Sequence, residues 1–269
     1  MFDYSSYLRK DKFPLIWCSG CGDGIALKAI LRAIDRIGLS KDEIVMVSGI
    51  GCSSRLPGYV DFNTLHTTHG RAIAFATGVK MAKPKLTVIV VTGDGDATAI
   101  GGNHYIHAAR RNIDLTVVLF NNWIYGMTGG QVSPTTPFGK KASTAPYGST
   151  ENSFNISGLA EAAGASFVAR ETVYRPQVLD KLIEQAIRKK GFSVVEVFTP
   201  CPTGYGRRNK IRTPIDMMYW LKENSVSRSQ AGKMDPDALK DKIVTGILVD
   251  ADLPEYTEEY QKLIERVRQ

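Results

Sequence analysis

The stretch Leu86-Thr87-Val88-Ile89-Val90-Val91-Thr92-Gly93-Asp94-Gly95-Asp96 decides the fold. Four consecutive aliphatic side chains without polar alternation mark a strand buried on both faces, and the Gly-rich turn after them is the kind that links a parallel strand to a helix. Working outward, four more runs share the pattern: Glu43 to Ser48, Leu115 to Phe120, Ser166 to Glu171 and Phe192 to Thr199. Helical periodicity lies between them, at Gly24 to Ile37, Arg71 to Ala82, Asn103 to Arg111, Ile156 to Ala163 and Pro176 to Lys190. The alternation predicts an α/β fold, a doubly wound and mostly parallel sheet covered by helices on both faces. Beyond Cys201 a Gly- and Arg-rich connection leads to weaker helical patterns at Pro214 to Glu223, Asp235 to Leu248 and Glu255 to Val267. The chain thus divides into an α/β domain, 1–202, and a C-terminal helical extension, 203–269, that wraps the core or a partner.

The chain has 269 residues, 43% apolar and 23% charged, with a net charge of +7. That composition describes one or two ordinary globular domains. No aliphatic run approaches the ~20 residues of a membrane span. Charged residues crowd the first dozen positions and no apolar core of a secretory signal follows, so the expected location is the cytoplasm. There, Cys18, Cys21, Cys52 and Cys201 are better read as metal or redox ligands than as disulfides. Charge is uneven: from Cys201 to Lys233 seven basic residues (Arg207, Arg208, Lys210, Arg212, Lys222, Arg228, Lys233) face Asp216 and Glu223, a local +5. From Met234 onward five basic residues face nine acidic ones. The basic residues are not interleaved with aromatics, which argues against nucleic acid as a partner.

In open α/β sheets ligands bind beyond the carboxyl ends of the strands. The first strand runs into Gly49 to Arg55, the second into Gly93 to Asp96, the third into Asn121 to Gly126, and the fifth into Pro200-Cys201. Gly93-Asp94-Gly95-Asp96 suits phosphate by its glycines, yet its carboxylates repel one; a magnesium ion between them resolves the conflict. Asn122, at the end of the next strand, offers an amide oxygen, and Ile124 a backbone carbonyl. The C-x2-C turn at Cys18 to Cys21, with the remote Cys52 and Cys201, fits an iron–sulfur cluster; zinc or unrelated buried thiols remain open on spacing alone. His69 precedes Gly70 at a helix start, which suits a phosphate, whereas His104 and His107 lack a third ligand and read as packing or interface residues. Arg55, three residues past Cys52, suits either a substrate carboxylate or a surface ion pair. The long stretch Gly126 to Ser153, rich in Gly, Thr, Ser and Pro, reads as a functional loop.

These residues resemble a known family, the β subunit of 2-oxoacid:ferredoxin oxidoreductases. The matching strings are W-C-S-G-C-G at Trp17 to Gly22, G-I-G-C-S-S-R at Gly49 to Arg55 and H-G-R-A at His69 to Ala72. G-D-G-D-A-T-A-I-G-G-N-H at Gly93 to His104, N-N-W-I-Y-G-M-T-G-G-Q at Asn121 to Gln131 and C-P at Cys201 complete them. The S-S-R and Y-G-M-T-G-G-Q strings make the chain most similar to the 2-oxoglutarate type, 2-oxoglutarate synthase; Met127 and Gly129 depart from other members, and the tail after Lys210 carries little of the likeness. The resemblance implies a thiamine diphosphate-binding fold, with magnesium held by Asp94, Asn122 and the carbonyl of Ile124. It implies a cofactor lined by Ile50, Gly51, Cys52, Ser53, His69, Gly95, Asp96, Gly126 and Met127, and a 4Fe-4S cluster on Cys18, Cys21, Cys52 and Cys201. The implied reaction is oxidative decarboxylation of 2-oxoglutarate to succinyl-coenzyme A, reversible in principle, with electrons passed to ferredoxin. Arg55 would be catalytic, holding the distal carboxylate. An α subunit would supply the rest of the site, in a heterodimer or a dimer of heterodimers. The alternatives are the same chemistry on pyruvate or branched-chain 2-oxoacids, a non-redox thiamine enzyme, and a zinc-bound structural or interaction protein.

Overall fold

The computed structural model describes residues 2–211 and 213–269. Arg212, one of the seven basic residues counted above, lies outside the described residues. The described residues form ten strands: β1 (Ile44–Ser48), β2 (Asn63–His66), β3 (Thr87–Gly93), β4 (Thr116–Asn121), β5 (Ile124–Tyr125), β6 (Gln131–Val132), β7 (Phe167–Thr172), β8 (Ser193–Phe198), β9 (Ser225–Ser227) and β10 (Ile243–Asp250). Eight form one sheet in the order β2-β1-β3-β4-β8-β7-β10-β9, while β5 and β6 make a small hairpin. β2, β1, β3, β4, β8 and β7 are mutually parallel; β10 joins β7 antiparallel and pairs with β9 in parallel.

Two apolar layers enclose the sheet, and β3 shows why its sequence lacks alternation. Ile89 and Val91 pack with α1 (Asp23–Ile37), whose Leu27, Ile30, Leu31 and Ile34 recur at helical spacing, and with Leu179 and Ile183 of α5 (Pro176–Arg188). Val88 and Val90 face the other layer, built from Ile73 and Ala76 of α2 (Ala72–Ala82), Tyr105 of α3 (Gly102–Arg110) and Ile156 and Ala160 of α4 (Ile156–Ala163). Burying each such Leu, Ile or Val side chain contributes about 1.5–3 kcal/mol. α1 ends where Gly38 takes φ +79°, a left-handed stop.

The expected helix over Asp235 to Leu248 does not form. Only Pro236–Leu239 is helical there, and Ile243–Asp250 is a strand. The run Ile243-Val244-Thr245 is β-branched and Gly246 takes φ +110°, both against a helix. One face of β10 is only half-buried, so its sequence lacks the continuous apolar run of the central strands. The expected helix over Pro214 to Glu223 does form, as α6 (Pro214–Glu223), capped reciprocally by Thr213 and Asp216. The last expected helix runs over Tyr256–Val267. β2, an exposed edge strand with Asn63 and His66 at its ends, carries too little apolar pattern to read from sequence.

Candidate active site

The chain leaves β1 toward β2 on one side and reaches β3 on the other, so a crevice opens beyond the carboxyl ends of β1 and β3. A cavity of about 280 Å³ occupies it. Its walls include Ile50, Gly51, Cys52 and Ser53 after β1, His69 before α2, Asp94, Gly95 and Asp96 after β3, and Asn122, Ile124, Gly126 and Met127 after β4. Arg55 is not among the lining residues; it is exposed.

Asp96 is the fastener of the site. Its Oδ1 accepts hydrogen bonds from His69 Nδ1 (2.7 Å), Gly70 N (2.7 Å) and Ile50 N (3.2 Å), and its Oδ2 from the Thr92 hydroxyl (2.7 Å). One buried carboxylate thus holds two chain segments, at Ile50 and at His69-Gly70, to the end of β3. Gly49 must be small for the same reason, since a Cβ there would stand 2.0 Å from Asp96 Oδ2. Gly95 lies under the Tyr125 ring, whose hydroxyl donates to the Gly95 carbonyl (3.2 Å); a Cβ on Gly95 would come within 2.2 Å of that ring.

Asp94 is also buried, and burial pushes its carboxyl up to about 6. Its Oδ2 accepts from the Ser133 hydroxyl (2.6 Å) and from the Thr135 hydroxyl, while Oδ1 receives no side-chain hydrogen bond from any described residue. Ser133 and Thr135 come from the long loop and escape a reading that looks only at strand ends; the signal for them is the string Ser133-Pro134-Thr135-Thr136-Pro137 inside it. After β4, Asn121 donates to Glu196 (2.8 Å) and accepts from Trp123 N (3.2 Å), and Asn122 accepts from Ile124 N (3.3 Å). Trp123 between them takes φ +62°, a conformation costly for a large side chain. Its ring is held in an aromatic cage of Phe198 (5.3 Å), Tyr205 (5.3 Å) and Trp220 (5.4 Å). Its two neighbours in the chain, Asn122 and Ile124, both line the cavity.

Three ties bring the cysteines together. Trp17 Nε1 donates to the Cys52 carbonyl (2.7 Å). Gly22 packs so closely on the chain before Cys201 that a Cβ would lie 2.7 Å from Pro200 Cδ. A Cβ on Gly126 would stand 3.3 Å from Cys201 Sγ and 3.5 Å from Cys52 Sγ. Burial pushes the Cys52 thiol up to about 12 and also raises Cys21 and Cys201, with the Asp23 carboxylate adding to each shift. Asp23 itself is fully buried beside Cys21 and Thr199, and neither carboxylate oxygen meets hydrogen-bond geometry with any described residue. Among the described residues no three His, Cys, Asp or Glu side chains are placed to hold a single metal ion. Cys52 and Gly126 belong both to this group and to the cavity wall.

The family described as thiamine pyrophosphate enzyme, C-terminal TPP binding domain, matches residues 49–197. That span holds every lining residue of the cavity and omits Cys18, Cys21 and Cys201. The 2-oxoglutarate synthase subunit KorB of Methanocaldococcus jannaschii is 55% identical over 262 residues, covering 97% of this chain and 97% of the relative. The chain belongs to the KorB family. Another member, from Archaeoglobus fulgidus, is 51% identical and covers 99% of this chain and 96% of its own length. A solved 2-oxoglutarate:ferredoxin oxidoreductase from Magnetococcus marinus, with 2-oxoglutarate, coenzyme A and succinyl-CoA bound, superposes with a TM-score of 0.87 at 35% identity, over 98% of this chain and 90% of that one. The KorB likeness thus runs past residue 202 through the extension. No helix among the described residues is long and apolar enough to cross a membrane.

Proposed function

We propose that this chain is the β subunit of a 2-oxoglutarate:ferredoxin oxidoreductase, acting in the cytoplasm with an α subunit in a heterodimer or a dimer of heterodimers. Residues 1–202 serve as the unit for thiamine diphosphate, magnesium and a 4Fe-4S cluster, and 203–269 as an extension embracing it. The observation that carries the reading is that one residue, Cys52, belongs both to the wall of the cavity beyond β1 and β3 and to the group of four cysteines.

The donors suit the groups. Asp94, the Asn122 amide oxygen and the Ile124 carbonyl are an all-oxygen set of the kind magnesium takes when it bridges to a diphosphate. Ser53, on the cavity wall, has a buried hydroxyl without a partner, a donor free for an anionic ligand. A single zinc ion needs its donors within about 2.3 Å of one point, whereas a cubane gives each thiolate its own iron. Four cysteines on segments that pack together, with Cys52 and Cys201 both beside Gly126, suit a cubane on that ground.

Bound thiamine diphosphate supplies a nucleophilic carbon for decarboxylating a 2-oxoacid, and the cluster supplies one-electron transfer; the protein's part is placement. Ser133 and Thr135 hold one oxygen of Asp94 so that the other is free for the metal. Asp96 fixes Ile50 N and His69 on the facing wall. Ile50 and Met127, apolar and partly exposed in the lining, would exclude water from a bound 2-oxoacid. Arg55, outside the lining, would meet the distal carboxylate only at the rim. Coenzyme A accepts the acyl group as co-substrate.

Anaerobic purification tests this directly. Absorbance near ~400 nm and about four irons per chain are expected. Coenzyme A-dependent turnover by the co-expressed subunit pair should be fastest with 2-oxoglutarate among several 2-oxoacids. A colourless, zinc-containing protein refutes the reading.

A further inference from the structure

The C-terminal helix, Tyr256–Val267, is 12 residues long, a length at which an isolated helix is only marginally stable in water. Its first turn is anchored: Glu255 caps it, accepting from Thr257 N (2.9 Å) and Glu258 N (2.9 Å), and Thr257 is buried. Beyond Thr257 every residue is exposed except Ile264, which is half-buried. The helix therefore runs on with most of its surface in water.

That surface is not polar all round. Tyr256, Tyr260, Leu263 and Val267 recur at alternating steps of four and three residues, the a/d seam of a coiled coil. The Tyr256 and Tyr260 rings stack along it at 6.1 Å. Tyr260 is 44% exposed, Leu263 42% and Val267 72%, so the seam lacks a cover. Thr257 and Ile264, the two residues turned toward the body, lie along one flank of the seam. Glu259 and Arg266, one heptad apart, lie along the other. The Glu259 carboxylate meets only Lys262 of its own helix (2.7 Å), and Arg266 has no ion pair among the described residues. Glu258, Gln261, Lys262 and Glu265 are on the side away from the seam, where Gln261 donates to Glu265 (2.8 Å).

The charge pattern selects the occupant, because it is complementary to itself. Two copies of the helix can be laid antiparallel about a two-fold axis between Gln261 and Lys262. Tyr260 then packs on the partner's Leu263 and Tyr256 on the partner's Val267. The same register brings Glu259 beside the partner's Arg266, and symmetry makes that pair twice. A parallel pairing would instead set Glu259 against Ile264 and leave both charges without a counter-charge. We propose that the C-terminal helix is a two-fold contact with a second copy of this chain, clasping two α/β heterodimers into one particle. The proposal rests on the α subunit of the reading above for the composition of the particle, and not for the helix contact itself.

The test is sedimentation of the co-expressed α/β holoenzyme over a wide range of concentration. The parent should form a dimer of heterodimers that dissociates on dilution. Glu259→Arg alone and Arg266→Glu alone each bring like charges together twice, and each should raise the dissociation constant about tenfold. The double variant, Glu259→Arg with Arg266→Glu, should restore the parent value, and Leu263→Glu should leave heterodimers only. Turnover with 2-oxoglutarate should be the same in all. A parent that sediments as one heterodimer at every concentration overturns the proposal. So does a larger particle that Leu263→Glu leaves intact, or one that the double reversal does not rescue. Reversals that release the α subunit also overturn it, and assign the helix to that subunit. A particle without any α subunit is the failure of the two-subunit reading, and the same variants, read on this chain alone, still decide the helix contact.

Discussion

Replacing Asp96 by alanine leaves four donors without an acceptor: Ile50 N, Gly70 N, His69 Nδ1 and the Thr92 hydroxyl. Two of these hydrogen bonds, to Gly70 N and to Thr92, are buried. A buried donor without a partner costs about 1–3 kcal/mol, so those two alone account for about 4 kcal/mol. The other two donors are partly exposed and regain water. For a chain of this size, that loss lowers the melting temperature by roughly 8–16 °C. Asp96→Asn keeps an acceptor in place of Oδ1 for Ile50 N, Gly70 N and His69, and its NH2 in place of Oδ2 obliges the Thr92 hydroxyl to turn and accept, so it should cost about 1–2 kcal/mol. The assay is thermal unfolding of the three proteins by circular dichroism under one buffer, with thiamine diphosphate affinity measured alongside. Affinity should fall with stability, since Ile50 and His69 both lose their anchor. An Asp96→Ala protein within about 1 kcal/mol of the parent, or an asparagine variant as damaged as the alanine one, would refute the fastening role.

Other outcomes rest on the same geometry. The raised Asp94 carboxyl, near 6 without metal, binds its proton more tightly folded than unfolded. Its contribution to stability is therefore full below the unfolded value of about 4 and is lost as pH rises through 6. The magnesium proposed for Asp94 would have to displace that proton, so its affinity in the presence of thiamine diphosphate, followed by tryptophan fluorescence, should weaken as pH falls through 6; Asp94→Ala should abolish metal-dependent cofactor retention. Gly204→Ala places a Cβ 3.0 Å from Cys201 Sγ and 3.2 Å from Ile124 Cγ2, and should lower iron content per chain in a colorimetric assay without unfolding the protein. Arg55→Ala should raise KM for 2-oxoglutarate far more than for pyruvate; equal effects remove it from the distal carboxylate.

The central strands were legible because both their faces are buried: β1, β3 and β4 run nearly unbroken in Val, Ile and Leu, and β7 and β8 are mainly apolar apart from Arg170, Glu171 and Glu196. β10 was not, because one face is half-buried and Gly246 interrupts it, leaving a pattern that helical spacing fits by chance. The cavity could be read from the residues just past each strand end, since the fold itself delivers them to one edge. The fastening by Asp96 could not, because its donors lie 4 to 46 residues away in sequence. Ser133 and Thr135 meet Asp94 from 39 and 41 residues on, a closure set by the hairpin of β5 and β6 rather than by any local string. Arg55 shares a string with Cys52 and Ser53, yet three residues of short-pitch helix suffice to carry it off the cavity wall.

The aromatic cage around Trp123 bears on how the molecule can be cut. Its members are Phe198 on one side of residue 202 and Tyr205 and Trp220 on the other. A shortened protein ending at 202 would strip two of the three rings from the strained residue that lies between Asn122 and Ile124. Each lost aromatic is worth about 3–5 kcal/mol of packing, and the first thing to relax would be the strained Trp123 itself. Modularity in the sequence pattern is therefore not modularity in the folded chain: the last quarter of the protein acts as a buttress for a loop at its middle.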